Sequence, residues 1–249
     1  FAAENTQEFA EGLGQVGEVT ASETSPINTS PIGLGSIEGQ WVAIVNEDWL
    51  WRMRVPEKGD FTSIPYNDHA HEVGQAWDES MIGSCLAYGA AGIMRQPQRL
   101  RIEWEGDSVV RLETDYGQQT RRFIFNKPAS ENTPSSLQGY SEASWAYDAK
   151  PPTGFAGFSR STDDLQHGSM KIQTSHLTAA WLRSNGAPVS ADATVTEYVD
   201  AFSDPIGNEW LVFTVIVHDP EYLNTDFVTS SHYRRDNNRS DWDPRPCGM

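Results

Sequence analysis

The segment from Ile37 to Met53, "IEGQWVAIVNEDWLWRM", is strongly apolar and rich in Trp, yet it holds two adjacent acids, Glu47 and Asp48. Successive residues of a strand point to opposite faces, so alternation sorts this segment into two sets. One holds Trp41, Ala43, Val45, Glu47, Trp49, Trp51 and Met53; the other holds Val42, Ile44, Asn46, Asp48, Leu50 and Arg52. The pattern predicts one long strand with Glu47 facing inward among tryptophans, and Asp48 and Arg52 paired on the opposite face. A bulge near Asn46 would instead turn Glu47 outward.

A strand period returns at Arg99 and persists to the end of the chain. In "RLRIEWEGDSVVRLET", Leu100, Ile102 and Trp104 alternate with charged residues, and Glu105-Gly106-Asp107 marks a hairpin turn. "RRFIFN", "SMKIQTSH", "TVTEYVDAF", "EWLVFTVIVHD" and "FVTSSHYRR" read as further strands between Gly, Pro, Asn and Asp clusters. One helix is predicted in "NDHAHEVGQAWDES", with Asn67 as N-cap and Val73, Ala76 and Trp77 on one side. Residues 1–36 show neither period and read as a tail; 146–167, rich in Gly, Pro, Ser and Asp, read as a lid-like insertion. The remainder, 37–249, reads as one mainly β domain, a closed antiparallel barrel or a sandwich.

At 249 residues with nine Trp, ten Phe and eight Tyr, the chain can bury a substantial core. A formal charge of −17 argues against nucleic acid and anionic lipid as partners. No apolar run approaches the roughly 20 residues of a spanning helix. Phe1-Ala2-Ala3 reads as the start of a mature chain whose leader has been removed. The two cysteines, Cys85 and Cys247, cannot form a CxxC motif. They are either a disulfide, which would imply export, or two unrelated thiols.

Gly39-Gln40-Trp41 resembles the G-x-W of lipocalins. More widely, "GQWVAIVNEDWLWR", "AWDES", "CLAYGAAGIMRQPQRLRI", "LQGYSEASW", "WLRSNGAPVSADATVTEYVDAF", "HDPEYLNTDF" and "WDPRPC" resemble a large family of functionally uncharacterised exported bacterial proteins. The resemblance covers about residues 37–247. It implies an antiparallel lipocalin-like β-barrel with one short helix and the lid-like insertion, in a periplasmic or secreted protein, and it favours a Cys85–Cys247 bridge. It implies no activity. The chain departs from the family pattern after Trp145, where the insertion enters, and at Asp226, where the family has Pro.

Three titratable groups fall on apparently inward faces: Glu47, His176 at the end of Met170-Ile172-Thr174, and Glu197 between Val195 and Val199. Sealed apolar surroundings disfavour charge on carboxyls and imidazoles alike, which suits acid–base chemistry. The alternative is structural, each group being neutralised by a buried arginine such as Arg52 or Arg95. No nucleophile elbow, phosphate loop, dinucleotide fingerprint or spaced metal-ligand set is present, so no cofactor or metal is expected. His69 and His71 of "NDHAHE" are two apart and do not share a helical face. The leading reading is an exported barrel that holds a small apolar or aromatic molecule, with Trp49, Trp51, Tyr88 and Tyr116 as ligand-binding residues. The second is a cofactor-independent lyase, isomerase or cyclase using Glu47, His176 and Glu197, with Tyr140 or Arg95 steadying negative charge. The third is a structural or cell-surface barrel filled by its own side chains. Any of these can form an oligomer.

Overall fold

The computed structural model describes residues 36–54, 56–78, 80, 88–147, 168–238 and 241–245. Its strands are β1 (Gly39–Ile44), β2 (Arg99–Glu105), β3 (Val109–Thr114), β4 (Thr120–Phe125), β5 (Tyr140–Tyr147) and β6 (Gly168–Ser175). They continue with β7 (Ala180–Arg183), β8 (Ala187–Val189), β9 (Thr194–Ser203), β10 (Glu209–His218) and β11 (Phe227–Arg235). Three short helices are α1 (Trp49–Met53), α2 (Asp68–Ala76) and α3 (Ala90–Ile93). Nine strands close a barrel in the order β1-β11-β10-β9-β6-β5-β4-β3-β2, and β7-β8 form a separate two-stranded ribbon. Of the barrel or sandwich that the strand pattern allows, the structure is the barrel, mainly β and of the lipocalin-like class that the family resemblance implies.

The barrel is antiparallel except at one seam. An odd number of strands cannot alternate direction all the way round, so one neighbouring pair must run parallel. Here it is β4 and β5, joined over Phe123↔Ser141 to Phe125↔Ala143. Trp41 is fully buried; Arg235 lies over its ring at 3.9 Å, and its indole N–H donates to the Ile37 carbonyl at 2.9 Å.

The two mouths differ. Where β1 begins, Trp104, Phe125 and Trp145 make an aromatic file, with ring centroids 5.6 and 5.0 Å apart. Where β1 ends, residues 45–98 carry α1, α2 and α3 before β2 begins. The helix α2 follows the Asn67 cap, whose side chain accepts from the Ala70 N–H at 2.9 Å. It buries Ala70, Gly74 and then Trp77, whereas Val73 is only half-buried and Ala76 is exposed. The buried stripe is thus rotated from the one the apolar residues suggest, because the small Gly74 is the point of contact with Phe61 and Gly186. Among the described residues no helix is long and apolar enough to cross a membrane.

The largest departure from the sequence pattern is the opening segment. Its strand stops at Ile44, and Asp48 adopts a left-handed conformation (φ 48°) that ends extension and starts α1. Asp tolerates this region better than most residues. Strict alternation therefore ceases before Glu47, and helical spacing governs Trp49 to Met53. The lid-like reading of 146–167 also changes: Ala146 and Tyr147 belong to β5, pairing with Ser169 and Gly168. Residues 148–167, the tail 1–35, Cys85 and Cys247 lie outside the described residues.

Candidate functional site

The alternation argument succeeds for Glu197. It faces inward with Val195 and Val199 and is fully buried. Its carboxylate is held by the equally buried Arg121, which donates from Nη1 at 2.9 Å and from Nη2 at 2.5 Å. The same Nη2 donates to Thr174 Oγ1 at 3.3 Å, and Thr174 in turn meets Ser141 Oγ at 2.8 Å. Glu197 is thus neutralised by a bidentate partner, the structural alternative, although the arginine is neither Arg52 nor Arg95. Arg121 shares an inward face with Phe123 and Phe125 in "RRFIF", so alternation alone would have identified it.

Glu47 does not sit in the lumen. It lies on the turn before α1, 32 % exposed, with Oε2 3.6 Å from Arg52 Nη1 and Oε1 against His232 Nδ1. Asp48 pairs with Arg95 at 3.1 Å. The expected Asp48–Arg52 pair is therefore replaced by two crossed pairs, Glu47–Arg52 and Asp48–Arg95, because the helical turn carries Arg52 back toward the barrel. His232, which the sequence reading does not single out, is the imidazole beside Glu47, but it stands on the outer face of β11 between the inward Ser231 and Tyr233. His176 itself leaves its strand with φ 56°, is half-exposed and bonds Ser175 Oγ at 2.9 Å. Tyr140 lies on the face opposite the buried Ser141 and donates its hydroxyl to the Lys127 carbonyl at 3.0 Å. Glu47, His176, Glu197 and Tyr140 thus have separate partners and form no common acid–base group.

Arg95 does occupy the interior. It is buried, reaches Thr229 Oγ1 on β11 and lies over the Phe227 ring at 5.4 Å. Burial, aided by the nearby charge of Arg183, lowers its pKa to about 10. Arg52 enters beside it, donating to the Arg95 carbonyl at 2.8 Å and to Ser231 Oγ at 3.3 Å. Burial also lowers the pKa of Arg52 and of Arg183. The β1-end mouth is thus built from guanidinium groups and inward hydroxyls under a helix.

The expected aromatic liners divide. Trp49 is 60 % exposed and shares a solvent face of α1 with Leu50 and Met53. Trp51 is half-buried on the same helix, near Asp60. Tyr88 and Tyr116 pack against each other, with ring centroids 5.9 Å apart. Burial raises the Tyr88 pKa to about 12. On the outer wall, Glu38, Gly39, Gln40, Arg101, Ile102 and Glu103 line an open groove, and none of the expected site residues borders it. Among the described residues no group of three or more His, Cys, Asp or Glu side chains is placed to hold a metal.

The fold and this mouth define a lipocalin-like β-barrel with an arginine-rich end. No family model, curated protein or solved structure matches the chain.

Proposed function

We propose that the protein binds a small, largely apolar or aromatic organic molecule against α1, at the arginine-rich mouth of the barrel. One observation carries the reading. Trp49, Leu50 and Met53 lie together on the solvent face of α1, while Arg52 on its other face reaches polar groups inside the barrel. Covering these three side chains would gain roughly 4 kcal/mol from removal of apolar surface. Three side chains on a five-residue helix are too few for a protein interface of about 800 Å² per partner, so a small ligand fits better.

Export remains part of the proposal, resting on the family resemblance and on Cys85 and Cys247. Described residues near both cysteines lend support: Tyr88 packs on Tyr116, and Arg245 forms a backbone bridge with Tyr116.

A second reading, acid–base catalysis without a cofactor, draws support from the Glu47–His232 contact. In that reading His232, rather than His176, moves the proton and Glu47 orients its ring.

Mass spectrometry of protein purified gently from its native source tests the first reading. A near-stoichiometric apolar molecule is expected in extracts of the wild type and is expected to be depleted in Trp49→Ala. Equal retention by the variant, or no bound molecule, would overturn the reading. Intact mass after alkylation without reductant should show no modified thiol; two modified thiols would remove the disulfide.

A further inference from the structure

We infer that the ligand held at α1 carries a carboxylate, which the Arg52–Arg95–Arg183 cluster receives; this rests on the binding reading above. The argument begins with charge. Three guanidinium groups are buried in one region of a chain whose formal charge is −17. Glu47 faces Arg52, and Asp48 faces Arg95. Arg183 has neutral hydrogen-bond partners, the Thr62 carbonyl and Ser63 Oγ, both at 3.0 Å. Asp48 and Asp60 act on Arg183 only at a distance, so the three cations face three carboxylates, yet among the described residues no carboxylate contacts Arg183 and its guanidinium lacks an anionic hydrogen-bond partner.

Hydrogen-bonding capacity agrees. Arg52 Nη1 and Arg183 Nε are buried and have no hydrogen-bond acceptor among the described residues. Leaving a buried charged donor unpaired is costly, and a carboxylate would satisfy it. Access runs through the Glu47–Asp48 turn, whose side chains are about one-third exposed. His232 borders this entrance at Glu47, and Asp60 lies on the Arg183 side. The apolar face of Trp49, Leu50 and Met53 flanks the same turn, so the preferred ligand has an apolar body and one anionic end.

The pairing of Glu47 with Arg52 sharpens the test. Glu47 would compete with a ligand carboxylate for the same guanidinium, and its 3.6 Å separation is longer than a hydrogen bond. Removing its charge should improve binding, a gain that a misfolded variant cannot imitate.

Isothermal titration of the full chain with 2-naphthoate and with the uncharged 2-naphthamide separates the possibilities. The acid anion is expected to bind at least tenfold more tightly, a difference of about 1.4 kcal/mol. Glu47→Gln is expected to tighten 2-naphthoate severalfold and leave 2-naphthamide unchanged. Equal affinities for the two probes would overturn the anion inference while the α1 reading stands. Failure of both probes to bind would overturn both. Unchanged or weaker naphthoate binding in Glu47→Gln, with the fold intact by circular dichroism, would also overturn the inference.

Discussion

Glu197→Gln is expected to destabilise the barrel by about 3–5 kcal/mol, because it strands the buried charge of Arg121. The side chains of both residues are fully shielded from water and meet through two hydrogen bonds. Glutamine keeps the shape and one acceptor oxygen but loses the charge that offsets the guanidinium. The converse holds for the pair together. Replacing both by apolar residues, Glu197→Leu with Arg121→Met, removes the desolvation cost as well as the attraction, so the double variant is expected to recover most of the loss. Urea unfolding measures this cycle. A single-variant loss below about 1 kcal/mol would mean that water or relaxation reaches the pair.

Gly74→Ala presents the opposite sign from helix propensity. Glycine inside a helix costs about 1 kcal/mol relative to alanine, so on an open face the substitution would stabilise α2. Here an added methyl would lie 2.1 Å from the Phe61 ring and 3.0 Å from the Gly186 carbonyl oxygen. Phe61 is itself buried against Tyr66, with ring centroids 5.1 Å apart, and cannot swing away freely. Overpacking of this kind costs about 1–3 kcal/mol, which exceeds the propensity gain. Thermal unfolding of Gly74→Ala should therefore show a lower midpoint. A raised midpoint would mean that α2 shifts off the β7–β8 ribbon without penalty.

Alternation was informative wherever one face of a strand meets the barrel interior. It located β2, β3, β4, β6, β9, β10 and β11 and placed Glu197 inward. It also contained Arg121, which the sequence reading passed over. Alternation failed at 45–53 although Val45, Trp49, Trp51 and Met53 do alternate there with Asn46, Asp48 and Arg52, because apolar periodicity over so short a run cannot distinguish a strand from a short helix. The deciding feature was the left-handed Asp48, a backbone choice with only a weak sequence signal. The strand β5 was obscured for a different reason. Its buried inward residues include Ser141 and Ala143, which carry little hydrophobic contrast, and its parallel pairing to β4 follows from closure rather than from any local motif.

The same distinction explains the candidate site. Arg52 and Arg95 were named as buried arginines and Glu197 as an inward carboxyl from their surroundings in sequence, whereas Trp49, expected on an inward strand face, is 60 % exposed. The grouping of Arg52, Arg95 and Arg183 depends on three separate segments, α1, the turn after α3, and β7, brought to one mouth by chain topology. No spacing rule within a single segment reports that convergence. His232 entered for a related reason: it is paired across the sheet with Ile44, the last residue of β1, and so stands beside the turn that carries Glu47.

The location of the ligand is the central claim, and fluorine NMR of protein carrying 5-fluorotryptophan tests it directly. Nine tryptophans give nine signals, and Trp49→Phe assigns one of them. On titration with 2-naphthoate, the Trp49 signal is predicted to shift most, with a smaller shift for Trp51 on the same helix. Movement of the Trp104 and Trp145 signals with Trp49 unchanged would place the ligand at the opposite mouth, against the aromatic file with Phe125, and would contradict the account.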